Sequence, residues 1–213
     1  MRLSIYFLLL SIMCLLLYVG ITCGLVYAPK KIKIISVMAL ILMTARYIAL
    51  IIFSIVKSQN YLYLLKPIIY TNYFCIPIYG ILSLFMFSRN NKIKLKKILF
   101  MCSILCVAYC IVIYKSSASV SISDLYGYIL ILKLEDYCNI FLLVLNTIFF
   151  IKGIGLLNKE YSNKMGAICI VISSSLTLLS VLLTLIDTSF AWILLGDIAW
   201  IITIDYGLIK FKR

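Results

Sequence analysis

Residues 190–207 read FAWILLGDIAWIITIDYG. The run is apolar enough for a membrane, yet it carries two carboxylates, Asp197 and Asp205. An acid at the centre of a bilayer costs roughly 3 kcal/mol even on the mildest scales, and such residues face the bundle interior or a partner. If this stretch is a transmembrane helix, basic residues on other spans must answer it. The rest of the chain decides the point.

Of the 213 residues, 65% are hydrophobic, and the mean hydropathy is +1.15. A soluble domain is nearer half apolar, and its core cannot bury this much surface. The sequence therefore reads as an all-α polytopic protein of the cell membrane, with residues 1–213 forming one transmembrane domain. The net charge of +13 does not point to nucleic acid, because the cations sit in short clusters between apolar runs. That is the pattern of cytoplasmic loops lying on anionic lipid, and the bilayer is the expected partner.

The apolar runs divide into seven spans, at 3–28, 34–56, 68–87, 98–114, 140–157, 165–186 and 189–209. Each is near the roughly 20 residues a helix needs to cross. The first is too long for the apolar core of a signal peptide, and Pro29 follows its only small-residue cleavage candidate, so it reads as a span. Pro77 lies inside the third span and is expected to kink it. One set of alternate connections holds thirteen Lys and Arg, including Lys30, Lys31, Lys33, Arg89, Lys92, Lys94, Lys96 and Lys97. The other holds five: Arg2, Lys57, Lys66, Lys115 and Lys133. The positive-inside bias then places the N-terminus outside and the C-terminus in the cytoplasm.

The one long connection is external, KSSASVSISDLYGYILILKLEDYCN at 115–139. If extended, it puts Tyr126, Tyr128, Leu130, Leu132 and Leu134 on one face. It reads as a short β-hairpin or irregular cap at about 120–135, with an early start to the fifth helix as the alternative.

Arg46 and Lys152 are the two cations inside the spans. At 1.5 Å of rise per residue, Asp197 and Arg46 both lie about 18 Å from the cytoplasmic edge, Asp205 about 6 Å and Lys152 about 8 Å. Two pairs are expected: Arg46 with Asp197 at mid-membrane, and Lys152 with Asp205 near the inner face. Thr44, Tyr70, Asn72, Tyr73, Tyr79, Asn146, Thr147 and Trp200 complete a candidate pocket opening outward beneath the 115–139 segment. Each also has an ordinary role as an interhelical hydrogen bond or an interfacial aromatic.

The sequence has eight cysteines and no histidine. The lack of histidine removes histidine metal sites, serine–histidine and cysteine–histidine catalysis, and a phosphoacceptor histidine. Cys102, Cys106 and Cys110 form one helical stripe and read as small packing residues. No phosphate-binding loop, HExxH or GxSxG is present. The serines in VISSSLTLL, residues 171–179, read as close helix packing. Neither an enzyme nor a metal or other cofactor is expected.

The stretch YLYLLKPIIYTNYFCIPIYGILSLFMFSRNNK, residues 61–92, resembles the N-terminal seven-helix sensor region of bacterial histidine kinases. Lys66, Tyr70, Pro77 and the run Phe85 to Phe87 stand where that region has a basic residue, a tyrosine, a proline and an apolar-aromatic run. The external segment before span five and the ending YGLIKFKR also suit it. In that family the ending leads into a signalling helix and catalytic domains, whereas this chain ends at Arg213. The resemblance implies a sensor or ligand-binding module that signals through a partner protein. A small transporter or its substrate-binding subunit is the alternative, and an accessory protein of membrane-complex assembly a further one.

Overall fold

A computed structural model of the chain describes residues 2–55, 63–88, 95–123, 127–186 and 192–211. The basic residues Arg89, Lys92, Lys94, Lys212 and Arg213, together with Lys57 and Tyr126, lie outside the described residues. In chain order the elements are α1 (Arg2–Tyr27), α2 (Lys30–Ile55), a single 3-10 turn (Tyr63–Leu65), α3 (Lys66–Ile69), α4 (Asn72–Ser88) and α5 (Leu95–Lys115). A hairpin of β1 (Ala118–Ser123) and β2 (Gly127–Leu132) follows, then α6 (Glu135–Leu157), α7 (Lys164–Ile186) and α8 (Ile193–Ile209).

Six stretches are long and apolar enough to cross a bilayer: Ser4–Tyr27, Ile32–Ile55, Tyr63–Ser88, Lys96–Lys115, Glu135–Leu157 and Lys164–Ile186. The expected seventh, α8, has 17 residues. It extends about 25 Å, short of the roughly 30 Å hydrocarbon thickness. The start expected for it, residue 189, falls outside the described residues.

Local chemistry explains where the helices begin and break. Pro29 lacks an amide hydrogen, and its carbonyl accepts from Ile32 and Lys33 at 2.9 Å each, which opens α2 directly after α1. The third span is not continuous. Tyr70 and Thr71 separate α3 from α4. Thr71 Oγ1 donates to Ile68 O at 2.8 Å, and Tyr73 N bonds Tyr70 O at 3.1 Å rather than reaching back four residues to Ile69. A hydroxyl that bonds the local backbone competes with the helix ladder in this way. Ile69 O is thereby freed from the ladder. Pro77 is buried inside α4, and the helix continues through it.

The packing has a clear centre. The Tyr63–Ser88 stretch is mostly buried, whereas the Lys96–Lys115 stretch is almost wholly exposed, so α4 is interior and α5 lies at the rim. α8 packs against α1, α4 and α7, while α4 also meets α2, α5, α6 and α7. A helix apolar on all sides suits such a central place. α4 comes close enough to α6 that a Cβ on Gly80 would overlap the Phe149 ring. Ser173 Oγ donates to Ala199 O at 2.8 Å and shares a 2.5 Å bond with Thr203, joining α7 to α8. All eight cysteines are free thiols.

The 115–139 segment contains both expected forms. β1 and β2 pair antiparallel from Ala118 opposite Leu132 to Ser123 opposite Gly127. Helix α6 then starts at Glu135, ahead of the expected 140. Leu130 and Leu132 are buried, while Ile131 between them is exposed, and β2 packs against α2. The ammonium of Lys66 donates to Ile113 O at 2.7 Å and to Ser116 O, capping the end of α5 below the hairpin. A cation at a helix C-terminus complements its dipole.

Candidate functional site

Three elements meet at the break in the third span. α2 brings Arg46 and Tyr47, α8 brings Asp197, and the α3–α4 junction brings a bare carbonyl. Arg46 is 5% exposed, and Asp197 and Tyr47 are fully buried. Arg46 Nη1 donates to Asp197 Oδ2 in an ion pair. Its Nε donates to Ile69 O at 2.7 Å, which is the carbonyl freed by the break. One guanidinium therefore neutralises the acid and also completes the interrupted helix. Its forked donors suit this double task. Tyr47 Oη donates to the same Asp197 Oδ2 at 3.3 Å, and its ring lies 5.5 Å from the guanidinium carbon. Asp197 Oδ1 has no hydrogen-bond partner.

Between this junction and the hairpin, a second polar group joins the bundle to β2. Tyr70 Oη donates to Leu130 O of β2 at 2.5 Å. The Tyr70 ring stacks on Tyr73, with centroids 6.0 Å apart and planes at 12°. Tyr73 Oη donates to Asn139 Oδ1 of α6 at 2.8 Å. Asn72 is 2% exposed, and its Oδ1 has no partner.

The remaining candidates are distributed. Trp200 Nε1 donates to Asn146 Oδ1 at 3.1 Å, Asn146 Nδ2 donates to Leu142 O, and Phe149 meets Trp200 edge-on at 5.6 Å. Tyr79 Oη donates to Ala39 O at 3.1 Å. Thr44 bonds Leu40 O within its own helix. Thr147 does not belong to a pocket: it is exposed on α6 and bonds Leu143 O of its own turn. The eight expected pocket residues thus form separate contacts: Trp200 bonds Asn146 and Tyr70 stacks on Tyr73, while Thr44, Tyr79 and Thr147 are satisfied by backbone carbonyls.

The expected pair of Lys152 with Asp205 is not formed. Lys152 is exposed on α6. Asp205 is buried on α8 and faces α1 at Gly20, and neither of its carboxylate oxygens has a hydrogen-bond partner. The expectation rested on equal counted depth, but the side chains point to different places, Lys152 to the surface of α6 and Asp205 to α1. Depth comes from counting residues, whereas direction around the axis comes from packing.

Sequence reasoning missed Tyr47, Asn139, Gly20 and the Ile69 carbonyl. Tyr47 had a signal, since it directly follows the intramembrane arginine. The break also had one, since Pro67 and the polar pair Thr71–Asn72 interrupt an otherwise apolar run. Among the described residues, no three Cys, Asp or Glu side chains converge as a metal site. No family model matches the chain, and no curated protein matches it.

Proposed function

We propose that the chain is a seven-helix sensor or ligand-binding module of the cell membrane that signals through a partner protein. In this reading α8 is the seventh span, the N-terminus lies outside, and the C-terminus lies in the cytoplasm. The resemblance to the sensor region of bacterial histidine kinases supports it. So does one structural observation: polar contacts run from the hairpin through Tyr70 and Tyr73 to the interrupted helix whose carbonyl Arg46 holds. A ligand that moves the hairpin would disturb that junction and the Arg46–Asp197 pair. The ion pair would pass the change to α8 and so to the cytoplasmic end. The basic connections rest on anionic lipid, and the chain performs no chemistry of its own.

The orientation has a direct test. In a cysteine-free background, Ser119→Cys in β1 should react with a membrane-impermeant maleimide on intact cells. Tyr161→Cys, between α6 and α7, should react only after permeabilisation. The opposite result inverts the topology. For function, the full chain is purified from its native membrane after crosslinking, and attached proteins are identified by mass spectrometry. A signalling protein joined through Lys96, Lys97 or Lys210 is the expected result.

The broken helix beside a buried ion pair favours a second reading. Transporters place discontinuous helices at the site where substrate binds. Uptake into proteoliposomes that disappears in Asp197→Asn, with no signalling protein crosslinked, would replace the sensor by a carrier.

A further inference from the structure

α8 holds an acid that the ion pair does not use. Asp205 is 6% exposed, and both of its carboxylate oxygens lack a hydrogen-bond partner. It lies against Gly20 of α1, where a Cβ would overlap Oδ1, and Leu40 of α2 lies within 3.3 Å of that same Cβ position. Only the missing side chain at position 20 leaves room for the carboxyl group. Asp205 is one turn from the end of α8 at Ile209. The last turn of a helix presents unpaired carbonyls and the negative end of its dipole, which repel an anion.

Among the described residues no cation offsets this. The titratable and charged side chains on the surrounding turns are Cys23 and Tyr27 of α1, Lys33 of α2, Tyr79 of α4, and Cys169 of α7. None of them donates to Asp205. Lys33 donates instead to Leu25 O at 2.5 Å, and Lys210 lies over the Tyr206 ring at 5.4 Å. The hydroxyl of Tyr79 is committed to Ala39 O at 3.1 Å. A metal ion is also poorly served, because it needs several oxygen ligands and the walls here are a glycine and a leucine. A proton needs only the carboxyl group itself.

We propose that Asp205 is a proton-binding site, whose carboxyl group holds a proton in the space left by Gly20 and exchanges it at the C-terminal end of α8. The site is independent of whether the bundle senses or transports. Release of the proton leaves a bare charge between α1, α2 and α8, so the packing of α1 on α8 becomes responsive to pH.

The test treats membranes containing the full chain with N,N′-dicyclohexylcarbodiimide. A protonated carboxyl group adds across this apolar reagent: its proton moves to one nitrogen, its oxygen bonds the central carbon, and rearrangement gives a stable N-acylurea with no leaving group. The expected adduct maps to Asp205, fades as the pH is raised, and is lost in Asp205→Asn. Asp197, held as a carboxylate by Arg46, stays unlabelled. Absence of an adduct on Asp205 at every pH in the folded wild-type chain overturns the proposal. An adduct suppressed by sodium at fixed pH also overturns it, and assigns a metal cation instead. Labelling that is unchanged at high pH shows a locked proton and removes the exchange.

Discussion

Arg46→Ala is expected to destabilise the bundle by about 3–5 kcal/mol, the cost of removing one partner from a buried ion pair. The loss is double. Asp197, fully buried, keeps only the 3.3 Å bond from Tyr47, and Ile69 O loses its donor in the middle of a broken helix. Arg46→Lys should recover only part of this, because one ammonium group lacks the guanidinium fork that reaches both the acid and the carbonyl. Replacing the pair by apolar residues, Arg46→Met with Asp197→Leu, should restore most of the stability. What remains is the unpaired Ile69 carbonyl, costing about 1–3 kcal/mol. Exchanging the charges, Arg46→Asp with Asp197→Arg, should not rescue, since it sets an acid beside that carbonyl. Thermal melts and size-exclusion profiles in mild detergent read all four variants. An Arg46→Ala protein that melts with the wild type would show that the guanidinium is dispensable to the fold.

The contrast between the two acids shows what the sequence carried. Hydropathy and the clustering of Lys and Arg located the apolar helices, because transfer to lipid is a property of composition along the chain. The hairpin was legible from Tyr126, Tyr128, Leu130, Leu132 and Leu134 recurring at the strand period of two, and Leu130 and Leu132 are buried with Ile131 exposed between them. The match of Arg46 to Asp197 was legible because residue counting put both at about the same expected depth. Lys152 and Asp205 had the same depth match, yet Asp205 turns toward Gly20 and Lys152 faces outward. Rotation about a helix axis is set by neighbouring side chains, and these apolar spans carry little periodic signal to fix it. The break at Tyr70 and Thr71 was hidden for another reason. It replaces one ladder bond with Thr71 Oγ1 and Arg46 Nε, and the second of these comes from another helix.

Trp200→Ala is expected to cost about 3–5 kcal/mol, the usual penalty for emptying a large aromatic site in a core. Trp200 is fully buried at the centre of α8, between the two acids. Its ring meets Phe149, which in turn fills the space that Gly80 leaves open on α4. Removing the indole therefore loosens α6, α4 and α8 together. Lipid offers no hydrophobic drive between helices, so the loss comes from packing and from the bond to Asn146. Trp200→Phe keeps most of the ring volume but strands Asn146 Oδ1. Trp200→Phe with Asn146→Leu removes both polar ends of the contact. If Trp200 and Asn146 serve the fold, the double variant should be at least as stable as Trp200→Phe alone, with a coupling of about 0.6 kcal/mol typical of bonds between membrane helices. It should also leave signalling or flux at the wild-type level. If the double variant folds like wild type but loses its response, Asn146 and Trp200 contact a ligand, and the binding site extends inward from the hairpin to the centre of α8.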